Sequence, residues 1–158
     1  GTRICYTIPF AIKSRVDFGE PDKKETEDEP ITIKEFEVKK KILIAEDLDS
    51  NFMLLDIILS KKFDVVRALN GEEAINLYGS FNPDIILMDI KMPVMNGLEA
   101  TKAIRERNSC IPIIALTANA FESDQMEARE AGCNEVLTKP IKSSLLMMIL
   151  NKYLLDNK

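Results

Sequence analysis

The sequence predicts an α/β fold of the doubly wound kind, a five-stranded parallel sheet with helices on both faces and an N-terminal appendage. Three observations carry this. From Lys39 onward, short apolar runs alternate with amphipathic stretches, the pattern of strands joined by right-handed crossover helices. The run Ile85-Ile86-Leu87-Met88, bounded by Pro83 and Pro93, is apolar throughout, as a central strand buried on both faces must be. Residues 17–30 (DFGEPDKKETEDEP) hold two prolines, mixed charge and few apolar groups, which suits a linker better than a loop inside a compact domain.

Taken in order, residues 1–12 (GTRICYTIPFAI) alternate as one strand, with Ile4, Tyr6 and Ile8 on one face and Cys5 and Thr7 on the other. A lone strand is not stable, so it either pairs with a partner or ends another unit. Residues 13–39 form the polar linker. Ile42–Ala45 is a buried-type strand, after which Asp49 is placed to cap a helix bearing Phe52, Leu55, Ile58 and Leu59 at helical spacing. Val65-Val66 begins the second strand, and Asn70 with Glu73 three residues on signals a helix over Glu72–Tyr78. Ile85–Met88 is the third strand; Gly97 opens a helix holding Leu98 and Ile104, with Lys102, Arg105 and Arg107 on an exposed basic face. Ile111–Leu116 is the fourth strand, followed by a helix over Ala118–Ala131 that Gly132 stops as a left-handed cap. Glu135–Thr138 is a short fifth strand. Ile141–Leu155 is a last helix with Leu145, Met148, Ile149 and Tyr153 facing inward, its methionines filling core.

Composition removes several function classes. With 21 basic and 26 acidic residues among 158, the net charge of −5 argues against a nucleic-acid surface. Cys5, Cys110 and Cys133 are scattered, without metal-ligand spacing, and read as small buried residues of a reduced compartment. There is no histidine, which excludes a Ser/His triad, a His-ligated zinc site and a phosphohistidine donor within this chain. No apolar run reaches membrane-spanning length, so the expectation is a cytoplasmic piece without membrane contact.

A parallel sheet brings its strand ends to one rim, where doubly wound folds bind ligands. The first strand ends in Glu46-Asp47, the third in Asp89, the fourth in Thr117 and the fifth in Lys139-Pro140. Singly, each has an ordinary reading as a turn cap, a helix cap or a solvated charge. Together they place three carboxylates, a hydroxyl and an ammonium at one edge. Crowded carboxylates repel, and a hard divalent cation relieves the conflict; oxygen ligands without His or Cys suit Mg²⁺. Cation, ammonium and hydroxyl around Asp89 would stabilise charge on a phosphoryl group, with Asp89 as nucleophile.

Residues 39–158 resemble the receiver domain of two-component response regulators, through the acidic pair in KILIAEDLDSN, the phosphoacceptor in ILMDIKMPVMNG, the switch threonine in PIIALTANA and the lysine in EVLTKPI. The resemblance implies a flavodoxin-like (βα)₅ fold over 40–158 with strand order 2-1-3-4-5. It implies Mg²⁺ held by Glu46, Asp47, Asp89 and the Lys91 backbone carbonyl, phosphorylation of Asp89, and a Lys139-Pro140 bond that is usually cis. On phosphorylation Thr117 is drawn inward and the face from the fourth to the fifth helix is reshaped, a population shift biased by local charge. LTANA, LTKPI and Glu46 in place of a first Asp resemble the receivers of hybrid histidine kinases, and GTRICYTIPF resembles the last strand of the kinase ATP-binding domain. Residues 1–12 would then be the end of that domain. No ATP site is complete in this chain. The parent would be a membrane-anchored protein-histidine kinase, and the receiver would catalyse its own phosphoryl transfer and dephosphorylation. The implied partners are the phosphohistidine domain of that parent and a histidine phosphotransfer domain.

This chain departs from the family pattern at Val136, where an aromatic residue coupled to the switch threonine is common, and at Leu48, where a polar residue is common. Lys91 and Asn119 occupy the two variable positions that tune phosphoaspartate lifetime in the family. Two rivals stay open on sequence. Asp47-Leu48-Asp49-Ser50 resembles the nucleophile motif of haloacid-dehalogenase-type phosphatases, with Asp47 as nucleophile and Asp49 as acid/base; or the chain is a receiver-like interaction module that is never phosphorylated.

Overall fold

The structure is a computed structural model that describes residues 38–155. The strand expected over 1–12 and residues 13–37 of the expected linker lie outside the described residues. Val38 to Lys40 are in neither helix nor strand.

Five strands and five helices alternate: β1 (Lys41–Ala45), α1 (Asp49–Leu59), β2 (Asp64–Ala68), α2 (Gly71–Phe81), β3 (Ile85–Asp89), α3 (Gly97–Arg107), β4 (Ile113–Thr117), α4 (Glu122–Ala131), β5 (Glu135–Thr138) and α5 (Ser143–Leu155). All strand pairs are parallel, in the order β2-β1-β3-β4-β5. The expected fold and strand order are both present.

Strand alternation sorts the core into two layers. Leu43, Ala45, Ile86, Met88, Ile113 and Ala115 pack with α2, α3 and α4, whereas Ile42, Ile44, Ile85, Leu87, Ile114 and Leu116 pack with α1 and α5. Both layers are almost fully buried, which is why β1, β3 and β4 are apolar on both faces. The same period of two carries into the strand ends. Glu46, Asp89 and Lys139 fall in step with the residues that face α1 and α5; Thr117 falls in step with the opposite layer.

Several boundaries and faces differ from expectation. The Thr117 hydroxyl accepts a bond from the Asn119 N–H at 3.2 Å, a local turn that competes with helix, so α4 begins at Glu122 rather than Ala118. Gly132 does terminate it, at φ 110°. In α5 the buried residues are Leu146, Ile149 and Leu150, while Leu145 and Met148 are 39% and 62% exposed. Neighbouring Leu145-Leu146 and Met147-Met148 are alike in hydropathy, so periodicity underdetermines the face; Ile149 and Tyr153 pack inward as expected, Leu146 takes the place expected of Leu145, and Met148 does not fill core. Arg105 is not an exposed charge. Its guanidinium donates to the Gly132 carbonyl at 2.8 Å, the Asn108 carbonyl at 3.2 Å and Asn134 Oδ1 at 2.8 Å, tying the ends of α3 and α4 to the residue before β5. Cys133 is buried as expected, whereas Cys110 is at the surface. No helix among the described residues is long and apolar enough to cross a membrane.

Candidate functional site

Four of the predicted side chains, Glu46, Asp47, Asp89 and Lys139, meet at the carboxyl edge of the sheet, and Thr117 ends β4 at the same edge with its hydroxyl accepting from the Asn119 N–H. Glu46 is held in the ladder one residue beyond β1, its N–H donating to the Ala68 carbonyl at 3.0 Å. Asp89 ends β3 in register with Leu116. Lys139 follows β5, its N–H donating to the Thr117 carbonyl at 2.7 Å. Lys139-Pro140 is cis.

The Lys139 ammonium donates to Glu46 Oε2 at 2.6 Å and to Asp89 Oδ2 at 2.7 Å. The other oxygen of each carboxylate has its own donors. The Lys91 N–H reaches Asp89 Oδ1 at 3.1 Å, while the Leu48 N–H and the Asn51 amide reach Glu46 Oε1 at 3.2 and 3.1 Å. Glu46 is fully buried and Asp89 is 5% exposed. Such burial is tolerable only because charge-assisted bonds replace the lost water. Burial pushes the Asp89 carboxyl above its ordinary value, against the lowering effect of the Lys139 and Lys91 bonds. Burial acts to lower the Lys139 ammonium, but the bonds to Asp89 and Glu46 outweigh it and hold the group above its ordinary value.

Glu46, Asp47 and Asp89 each offer a carboxylate oxygen, and these oxygens lie within 4.8 Å of one another. That donor set is all hard oxygen, which fits Mg²⁺ rather than a softer transition metal. An open depression lined by Asp47, Lys91, Met92 and Asn96 gives access from one side.

The corner at Gly97 is as tight as the site requires. A Cβ there would lie 2.0 Å from the Asp89 carbonyl oxygen, so α3 starts in contact with the backbone of the central aspartate. Asn96 caps α3 through a reciprocal pair with Glu99, which fixes the entry of that helix.

Asp49 does not cap α1, as the sequence suggested. The N-cap is Leu48 with no side-chain bond, and the Asp49 carboxylate, 84% exposed, is taken by Arg67 Nη1 at 2.7 Å. Two residues of the site had no sequence signal. Asn51 holds Glu46, and Arg67 donates Nε to the Glu46 carbonyl and Nη2 to the Asp47 carbonyl, both at 3.0 Å. Val136 packs in the layer of α2, α3 and α4.

Residues 42–151 match the family model described as the response regulator receiver domain. The chain is 40% identical over 135 residues, 77% of its length, to hybrid signal transduction histidine kinase I of Dictyostelium discoideum, and spans 8% of that protein. It is 37% identical to the polar-differentiation response regulator DivK of Brucella anthropi, covering 74% of this chain and 98% of DivK. The structure of the receiver domain of sensor histidine kinase PA1611 from Pseudomonas aeruginosa, with a magnesium ion coordinated in its active site cleft, overlays with a TM-score of 0.69 at 35% identity, covering 73% of this chain and 97% of that one.

Proposed function

Because the chain belongs to the response regulator receiver domain family, we propose that Asp89 is the phosphoacceptor of this receiver and takes a phosphoryl group from a phosphohistidine in a magnesium-dependent reaction. The observation that carries the assignment is the shared ammonium. Lys139 bonds both Asp89 and Glu46, so the buried aspartate that ends the central strand already has an ammonium within reach of a group bound to it.

In the reaction an Asp89 carboxylate oxygen attacks phosphorus, a P–O bond forms, and the P–N bond breaks with its electrons passing to the imidazole nitrogen of the donor. Glu46, Asp47, Asp89 and the Lys91 carbonyl are the groups that would hold Mg²⁺, whose charge, when bound, opposes that of the phosphoryl oxygens. Lys139 turns from the carboxylate to a phosphoryl oxygen. The Lys91 N–H, already on Asp89 Oδ1, orients the nucleophile. The Thr117 hydroxyl accepts from Asn119 and keeps its own proton for donation, so the switch consists of Thr117 turning toward the new phosphoryl oxygen and drawing the 118–121 segment ahead of α4 with it. Val136 makes a rotating aromatic at that position impossible here.

The partner is a phosphohistidine-bearing domain, either of a parent hybrid kinase or of a histidine phosphotransfer protein, and the hybrid kinase relative supports the first. In that setting residues 1–12 are the end of the kinase ATP-binding domain, 13–39 the linker and 40–158 the receiver, placed in the cytoplasm. The test is incubation with acetyl phosphate and Mg²⁺ followed by intact mass. The native chain gains one phosphoryl group and Asp89→Asn gains none. Uptake retained by Asp89→Asn and lost in Asp47→Asn at every Mg²⁺ concentration would overturn the assignment.

A further inference from the structure

We propose that Arg67, on β2, is a positioning residue for metal binding, holding the acidic pair through the backbone carbonyls of Glu46 and Asp47. The inference rests on the reading of Glu46, Asp47 and Asp89 as a Mg²⁺ site, and adds a residue that touches none of the three carboxylates. Arg67 is paired with Ile44 in the β1–β2 register, on the strand face that looks toward α1. Its guanidinium makes three bonds to three nearly consecutive residues: Nε to the Glu46 carbonyl at 3.0 Å, Nη2 to the Asp47 carbonyl at 3.0 Å, and Nη1 to the Asp49 carboxylate at 2.7 Å. The group lies over the Phe52 ring, 4.8 Å from its centroid, and its side chain is 20% exposed. A planar fork, stacked and partly buried, is immobilised before it makes these bonds, so little entropy is lost in making them.

The placement matters because of what the loop must withstand. The β1–β2 ladder ends with the Glu46 N–H on Ala68, and only Asp47 and Leu48 then separate Glu46 from the first residue of α1. Three like charges within 4.8 Å push that loop outward. Lys139 restrains the side chains of Glu46 and Asp89; Arg67 restrains the peptide planes from which the Glu46 and Asp47 side chains depart. Fixing a carbonyl direction fixes ψ of its residue, and so sets where the next side chain points. Arg67 thereby does for the acidic pair through the main chain what a direct ligand partner does through the side chain.

Charge and geometry act in opposite senses here, since a guanidinium near the site repels a cation while its fork holds the ligands in place. Arg67→Lys keeps the charge and loses the planar fork, which isolates geometry. The experiment is titration calorimetry of the intact chain with MgCl₂ and no phosphoryl donor, with folding checked by circular dichroism and thermal melts in chelator. Arg67→Lys is expected to weaken Mg²⁺ binding by about tenfold. Phe52→Leu, which removes the stacking platform without changing charge, weakens it by less, and serves if Arg67→Lys does not fold. A folded Arg67→Lys that binds Mg²⁺ as the native chain does, whatever its melting temperature, overturns the proposal, as does unchanged binding in Phe52→Leu if that variant alone folds. Absence of Mg²⁺ binding by the native chain would instead overturn the metal-site reading beneath it.

Discussion

Lys139 Nζ stands 2.6 Å from Glu46 Oε2 and 2.7 Å from Asp89 Oδ2, so one ammonium joins two buried carboxylates from strands that lie 43 residues apart in sequence, at 46 and 89. Removing it strands the Glu46 charge in a fully buried position. Lys139→Met is expected to destabilise the chain by about 3 kcal/mol in urea denaturation with chelator present. Adding Glu46→Gln to that variant recovers part of the loss, because the two sites share one interaction and their effects do not add.

Gly97 and Gly79 separate a tight corner from an open helix surface. Gly97→Ala drives a Cβ into the Asp89 carbonyl, an obstacle of backbone rather than a flexible side chain, and costs about 3 kcal/mol together with loss of phosphoryl uptake. Gly79 lies within α2 and a Cβ there meets nothing within 4 Å. Gly79→Ala therefore stabilises by about 0.5–1 kcal/mol and leaves uptake unchanged. Thermal melts and acetyl phosphate assays on the pair read both effects.

On the proposed reading Mg²⁺ would relieve the repulsion among Glu46, Asp47 and Asp89, so its addition is expected to stabilise the fold. At a hundredfold excess over its dissociation constant the gain is about 2.7 kcal/mol, which raises the melting temperature by roughly 10 °C. Chelator reverses the shift. Asp47→Asn melts with little response to Mg²⁺.

The pH dependence of one exposed cluster has a definite sign. Lys152 donates to Glu135 at 2.7 Å and holds its carboxyl below the ordinary 4.5, against the raising effect of burial and with help from the Tyr153 hydroxyl at 3.0 Å. A depressed carboxylate contributes stability that is fully present above 4.5 and is lost as the pH falls through the lower folded value. The melting temperature of the native chain exceeds that of Glu135→Gln at pH 7, and the gap closes on acidification below 4.5.

The fold was legible because its signals are local. Ile42–Ala45, Ile85–Met88 and Ile113–Leu116 are apolar at every position, and Asn70 takes the Glu73 N–H at 3.0 Å as its spacing indicates. The site was legible because a parallel sheet turns strand ends into neighbours, so Glu46, Asp47, Asp89, Thr117 and Lys139 could be assembled by position alone. The remainder depends on contacts that no local pattern encodes. Arg67 reaches Glu46, Asp47 and Asp49 from an adjacent strand, and in doing so takes Asp49 from the capping role its position suggests. The face of α5 is set by which of its apolar sides meets the sheet. The start of α4 is set by the Thr117 hydroxyl, whose turn displaces the first helical residues.

The assignment of Asp89 as carrier of the phosphoryl group is open to direct chemical test. Borohydride reduces an aspartyl phosphate to homoserine and so marks the acceptor permanently. After incubation with acetyl phosphate and Mg²⁺, reduction and peptide sequencing by mass spectrometry should find homoserine at position 89 and aspartate at 47 and 49. Homoserine at 47, or an unmodified chain under conditions where Mg²⁺ binding is measured, would contradict it.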